Sequence, residues 1–154
     1  MLIANEIFGA SPVSKLFMHV REELNLCYYC QSSYRSVLGA VAVSAGIDGK
    51  NLKKTLNAIN EMLECVKNGD FDEGELEIAK KSLISAIRTG FDSPRYITTF
   101  MLARMLCGVD DTPEELWRRI AAAQREDVCR AARTVELDTV YFLCPDREEA
   151  EKLL

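Results

Sequence analysis

Between Cys27 and Ile47 two strand-like stretches follow one another so closely that they can only pair antiparallel. The first, residues 27–35, is rich in Tyr and Ser. After a break at Ser36 the second, residues 37–47, is built from Val, Ala, Leu and Ile. A parallel partner would need a crossover of about a dozen residues or more, and the chain has no room for one. Small residues at Gly39, Ala40, Ala42 and Ala45 leave space for helices close against this sheet, and Asp48-Gly49 supplies turn chemistry at its end. Residues 51–135 then read as helix throughout, and 138–144 as a last strand stopped by Pro145. This order predicts an α+β fold in two layers, a small, mostly antiparallel sheet with helices packed on one face. Three strands are few for so many helices, so part of the sheet is expected to be missing.

The helical stretches are separated by clear start and stop signals. Residues 1–8 suit a short amphipathic helix ending at Gly9, and Ser14 is placed to cap a second whose stripe is Leu16, Phe17, Val20 and Leu24. Leu52, Leu56, Ile59, Leu63 and Val66 form the predicted inward stripe of the next, which Asn68-Gly69-Asp70 stops. Asp72 with Glu75 three residues on is a capping-box start, and Leu76, Ala79, Leu83, Ala86 and Ile87 are expected to face inward after it. Ser93-Pro94 and Thr112-Pro113 open two more helices with Pro where its missing N–H costs least, and 125–134 forms a shorter fifth. Residues 148–154 are expected to form a tail helix.

At 154 residues the chain fits one domain, 1–154, with its core in 3–144 and a tail at 145–154. The composition, 48% hydrophobic and 28% charged, is that of an ordinary globular protein. A net charge of -5, with Lys and Arg scattered among acids, argues against a nucleic-acid surface. No apolar run reaches the ~18 residues of a membrane span, and the N-terminus lacks the basic and apolar regions of a signal peptide. Six irregularly spaced cysteines in apolar stretches read as reduced thiols, so a cytoplasmic location is expected.

Independent chemistry is hard to place. His19 is the single histidine, so a zinc site of the H-x-x-E-H kind cannot be assembled and the serines lack a believable triad base. There is no phosphate-binding glycine fingerprint. Glu22-Glu23 and Asp110-Asp111 come without further ligands and read as solvated acids. Cys27 and Cys30 lie three apart in a predicted strand, where alternation puts them on opposite faces, so neither a disulfide nor a metal pair is expected. Taken singly, Arg21 reads as a helix-end ion pair and Tyr28 as a packed aromatic.

One stretch carries more. Gly9, Ser14-Lys15-Leu16-Phe17, Val20-Arg21-Glu22 and Leu26-Cys27-Tyr28 occur in an order that resembles the zinc-free half of the pitrilysin/insulinase-type zinc metallopeptidases. Asp72-Glu73-Gly74-Glu75-Leu76 with Lys80, Glu126-Asp127-Val128 and the stretch 139–143 continue the likeness, which covers roughly 3–144. The chain departs from the pattern in two ways. It opens after the strands and helix with which such a domain begins, so a C-terminal fragment is expected. It also has Phe8-Gly9-Ala10-Ser11-Pro12 where many members carry several glycines.

The resemblance implies that this is the non-catalytic half of a zinc-dependent peptidase, forming one wall of a peptide-binding chamber. It implies substrate-binding roles for Arg21 and Tyr28, no catalytic residue or metal ligand in this chain, and zinc only in a catalytic partner half or subunit. A guanidinium can donate paired hydrogen bonds to peptide carbonyls and a phenol one toward an oxyanion. The rival readings are a degenerate peptidase domain that serves only as an interaction scaffold, and a redox protein using its cysteines. An open sheet edge, or the apolar face of residues 1–8, is further expected to drive self-association.

Overall fold

The computed structural model describes residues 1–144; the tail helix expected at 148–154 lies outside them. Helix α1 (Leu2–Asn5) continues into a π-wound segment, Glu6–Ala10, and a second π-wound helix spans Leu16–Glu23. Strands β1 (Cys27–Arg35) and β2 (Ala40–Ile47) follow, then α2 (Leu52–Asn68), α3 (Glu73–Gly90), α4 (Pro94–Leu106), α5 (Pro113–Ala122) and α6 (Arg125–Ala132). The architecture is the expected α+β arrangement. α1 and the two π-wound segments lie against β1, and α2 and α6 pack behind them.

β1 and β2 form an antiparallel hairpin in which Arg35 faces Ala40 and Tyr34 faces Val41. The second strand starts at Ala40, three residues later than the sequence pattern predicts. Residues 36–39 are consumed in reversing the chain: the Leu38 and Gly39 amides donate to Arg35 and Ser36, and Gly39 takes φ +63°. Val41, Val43, Ala45 and Ile47 lean toward the core, while Ala40, Ala42 and Ser44 line the uncovered face.

The expected last strand is absent among the described residues. Residues 135–144 make no ladder, because a strand needs a neighbour and the sheet there has only two members. The apolar face of residues 1–8 is also not a free surface. Ile3, Ala4, Ile7 and Phe8 are buried within the chain itself, which removes that face as a route to self-association.

The cap signals correspond to real helix starts. Asp72 and Glu75 exchange backbone hydrogen bonds at 2.8 Å each, as do Thr112 and Glu115 at 3.2 and 2.7 Å. Gly69 closes α2 at φ +83°. Two of the inward stripes are shifted. In α2 the buried set is Thr55, Ala58, Met62 and Val66, with Ile59 and Leu63 only half-buried, and both α6 and the second π-wound helix pack against this helix. In α3 Leu76, Ala79 and Ile87 are buried as expected, but Ala86 is exposed and the aliphatic stem of Lys80 is buried, its amine reaching Glu77 at 2.8 Å. Among the described residues α4 buries none of its side chains; Phe91, Tyr96 and Phe100 form a small aromatic cluster at its start.

Leu16 and Val20, fully buried four residues apart, root the second π-wound helix in the core beside Val66 and Leu76. Leu24, expected in the same stripe, is exposed at the helix end. The Ser14 hydroxyl accepts from the Phe17 amide at 3.4 Å, the capping contact its position predicts. Gly9 lets the preceding turn approach: a Cβ there would lie 2.5 Å from Leu16 Cδ1 and 2.7 Å from Ser32 Oγ.

Candidate functional site

The second π-wound helix carries Arg21 in its last turn, and β1 carries Tyr28 at its beginning. Between them the chain turns through Asn25, at φ +48°, and the Leu26 amide donates to the Val20 carbonyl at 3.1 Å. That bond ties the helix end to the strand start, so the two side chains ride on one rigid corner. The Arg21 guanidinium lies 4.7 Å from the centroid of the Phe17 ring, one turn back, and 3.4 Å from Glu22. The exposed ion pair fixes little on its own, whereas the ring beneath restricts the guanidinium plane.

Tyr28 owes its position to a β-bulge. Cys27 faces Ile47 and Tyr29 faces Gly46, so two residues of β1 are spent against one step of β2. The normal alternation slips here: Cys27 and Cys30 are both buried, and Tyr28 and Tyr29 both stand on the uncovered face. Tyr28 is 77% exposed, with Lys50 and Asp48 nearby at the end of β2. Tyr29 lies across Gly46, where any Cβ would come within 2.4 Å of its ring.

The bulge overturns the expectation that Cys27 and Cys30 face apart. Both cysteines are buried on the same side of the strand, close enough to influence each other's titration. Burial, together with this neighbour, pushes the Cys30 thiol up to about 12, and burial raises Cys27 as well, against a smaller opposing pull from Cys30 and Arg21. Thiols held in the protonated form are poor nucleophiles, so the arrangement does not favour redox chemistry even though both cysteines share one face.

The structure therefore places both predicted substrate-binding residues at the surface of one corner. Arg21 acts on Cys27 from the helix side, and Tyr28 projects from the open face of the sheet. Among the described residues no hydrogen bond links them. Sequence reasoning missed Phe17 as the platform for Arg21, although the i, i+4 spacing signals it. It also missed Lys50 beside Tyr28, which only the hairpin brings close. His19 Nδ1 pairs with Glu23 at 2.6 Å, and among the described residues no three His, Cys, Asp or Glu side chains gather as a ligand set. These residues do not fit a zinc ion.

The α+β half-domain with its helix-backed sheet has the fold of solved inactive peptidase domains. Residues 1–83 match the family described as the peptidase M16 inactive domain, and the chain belongs to that family. It is 31% identical over 141 residues to "Probable inactive metalloprotease YmfF" of Bacillus subtilis (strain 168), covering 92% of this chain and 33% of that protein. "Uncharacterized zinc protease YmxG" of the same organism is 26% identical over 140 residues, covering 86% of this chain and 33% of that one. The chain thus spans about a third of the length of these relatives. Among solved structures, a conserved protein from Enterococcus faecalis V583 matches at 34% identity and TM-score 0.75, over 86% of this chain and 31% of that one. An inactive peptidase domain from Bordetella parapertussis shares the fold at TM-score 0.69 and 20% identity, over 86% of this chain and 74% of the other. Among the described residues no helix is long and apolar enough to cross a membrane.

Proposed function

We propose that this chain forms the non-catalytic wall of a peptide-binding chamber in a zinc-dependent peptidase, with Arg21 and Tyr28 as its substrate-binding residues. A zinc-bearing half or subunit supplies the metal and the attacking water. Arg21 donates paired hydrogen bonds to peptide carbonyls, and the Tyr28 phenol donates one more toward the same backbone. The cytoplasm is the compartment expected for such a pair.

The observation that carries the reading is the bulge. It sets a Tyr on the open, small-residue face of the sheet, beside a helix end whose Arg is already oriented by Phe17. A side chain held outward in this way is open to an incoming ligand. The scaffold reading draws on a different observation: Arg21 already has Phe17 and Glu22 as partners, which account for its order without substrate.

The test uses the assembly of this chain with its zinc-bearing half and measures peptide turnover. Arg21→Ala is expected to lower kcat/KM about ten- to a hundred-fold, as loss of hydrogen bonds from a charged donor does, and Tyr28→Phe about five- to ten-fold. Unchanged turnover with the assembly intact assigns the domain to a scaffold role. The chain by itself is expected neither to hold one zinc per chain nor to cleave peptide.

A further inference from the structure

Residues 24–26 alone join the second π-wound helix to β1, and both elements are anchored from outside this connection. Buried Leu16 and Val20 root the helix, and Lys15 at its start pairs with Glu75 of α3 at 2.9 Å. β1 is held along its length by β2. With both ends set, so short a connection has no slack, and Asn25 makes the turn at φ +48°. Among the described residues it is the one non-glycine residue in the left-handed region. That region is disfavoured for a residue with a Cβ, less so for asparagine, and open to glycine. The Asn25 side chain is exposed and makes no hydrogen bond among the described residues, so what this residue contributes is its backbone angle. The turn returns the Leu26 amide to the Val20 carbonyl at 3.1 Å and so closes the helix end that holds Arg21.

We propose that Asn25 is a positioning residue, whose left-handed backbone sets Arg21 and Tyr28 at the mutual orientation in which both reach one peptide. The proposal rests on the substrate roles of those two side chains. Arg21 lies before this turn and Tyr28 after it, so a rotation at residue 25 swings one against the other. Where the left-handed conformer is no longer preferred, only a fraction of the molecules presents both donors together. Apparent affinity then falls by that fraction, while the step after binding is untouched. Asn25 acts only through the two residues it aligns.

The experiment measures peptide turnover by the assembly of this chain with its zinc-bearing half, together with hydrogen exchange at the Leu26 amide and circular dichroism to confirm folding. Asn25→Gly is expected to keep KM and kcat within about two-fold of the parent. Asn25→Val should raise KM about ten-fold with kcat nearly unchanged, and should speed exchange at Leu26. Asn25→Ala, the milder change, should raise KM about three-fold. In an Arg21→Ala background Asn25→Val should have little further effect on KM, a result that lost stability alone does not produce. Equal effects of Asn25→Gly and Asn25→Val, or full additivity with Arg21→Ala, overturn the proposal. If Arg21→Ala leaves turnover unchanged, the substrate reading fails and exchange at Leu26 still decides the positioning. A difference there between Asn25→Gly and Asn25→Val keeps Asn25 as the residue that sets the corner, and no difference overturns that too.

Discussion

Adding one methyl group at Gly9 probes the corner that carries Arg21. A Cβ there lies 2.5 Å from Leu16 Cδ1, 2.7 Å from Ser32 Oγ and 3.0 Å from Ser32 Cβ, all well inside contact distance. Leu16 is fully buried, and the Ser32 hydroxyl donates to the Asn5 carbonyl, so neither can swing away freely. Overpacking of this kind costs about 1–3 kcal/mol. Alanine regains about 0.5–1 kcal/mol over glycine in helical backbone, which leaves a net loss of about 1–2 kcal/mol for Gly9→Ala. Urea unfolding followed by circular dichroism should show the midpoint fall with the slope unchanged. Leu16→Ala alone should cost about 2–5 kcal/mol through its cavity. On that background the Gly9 methyl keeps its contact with Ser32 but loses the closer one with Leu16, so the double variant should be more stable than the sum of the two losses by about 0.5 kcal/mol or more. Gly9→Ala within about 0.5 kcal/mol of the parent, or strict additivity in the cycle, refutes the close-approach argument.

Two further outcomes follow from the thiols and the caps. Titration of the native chain with a thiol reagent at neutral pH should modify exposed Cys107 first, while Cys27, Cys30 and Cys129 wait for unfolding; rapid loss of Cys30 would restore the redox reading. Thr112→Ala should cost about 1 kcal/mol by removing the hydroxyl that caps α5. Hydrogen bonds from Thr112 hold the Glu115 carboxylate below its ordinary value of 4.5, so its contribution is complete above that pH and is lost as pH falls through the depressed folded value. Thermal melts of parent and Glu115→Gln should therefore converge in acid, and a gap that widens there contradicts the capping box.

What the sequence disclosed was mostly local. Asp72 with Glu75, Thr112 with Glu115, and Gly69 signal their helix boundaries because each cap is settled within four residues. The hairpin was legible for a similar reason, as the short connection admits one pairing. Features set by distant neighbours were not. The α2 stripe turns toward Thr55 and Ala58, and nothing within residues 52–68 records which side its distant neighbours will cover. Residues 138–143 carry strand chemistry, but pairing is decided by whether an edge is within reach. The bulge was the costliest omission: a strict two-residue alternation placed Cys27 and Cys30 on opposite faces. Arg21 and Tyr28 themselves were found through family likeness, since neither residue type nor spacing singles them out.

The winding of residues 16–23 has a consequence for how Arg21 is aimed. The Leu24 amide reaches back five residues to His19, so each turn takes in one residue more than an α-helix does. Each residue therefore advances around the axis by a smaller angle, and the bearing of Arg21 relative to the rooted Leu16 differs from what ordinary winding gives. Removing one residue from the exposed side of this stretch, or tightening it to α geometry, would leave every side chain named here present and rotate the guanidinium away from its corner. The direction of that cation is encoded in a hydrogen-bond count as much as in the identity of residue 21.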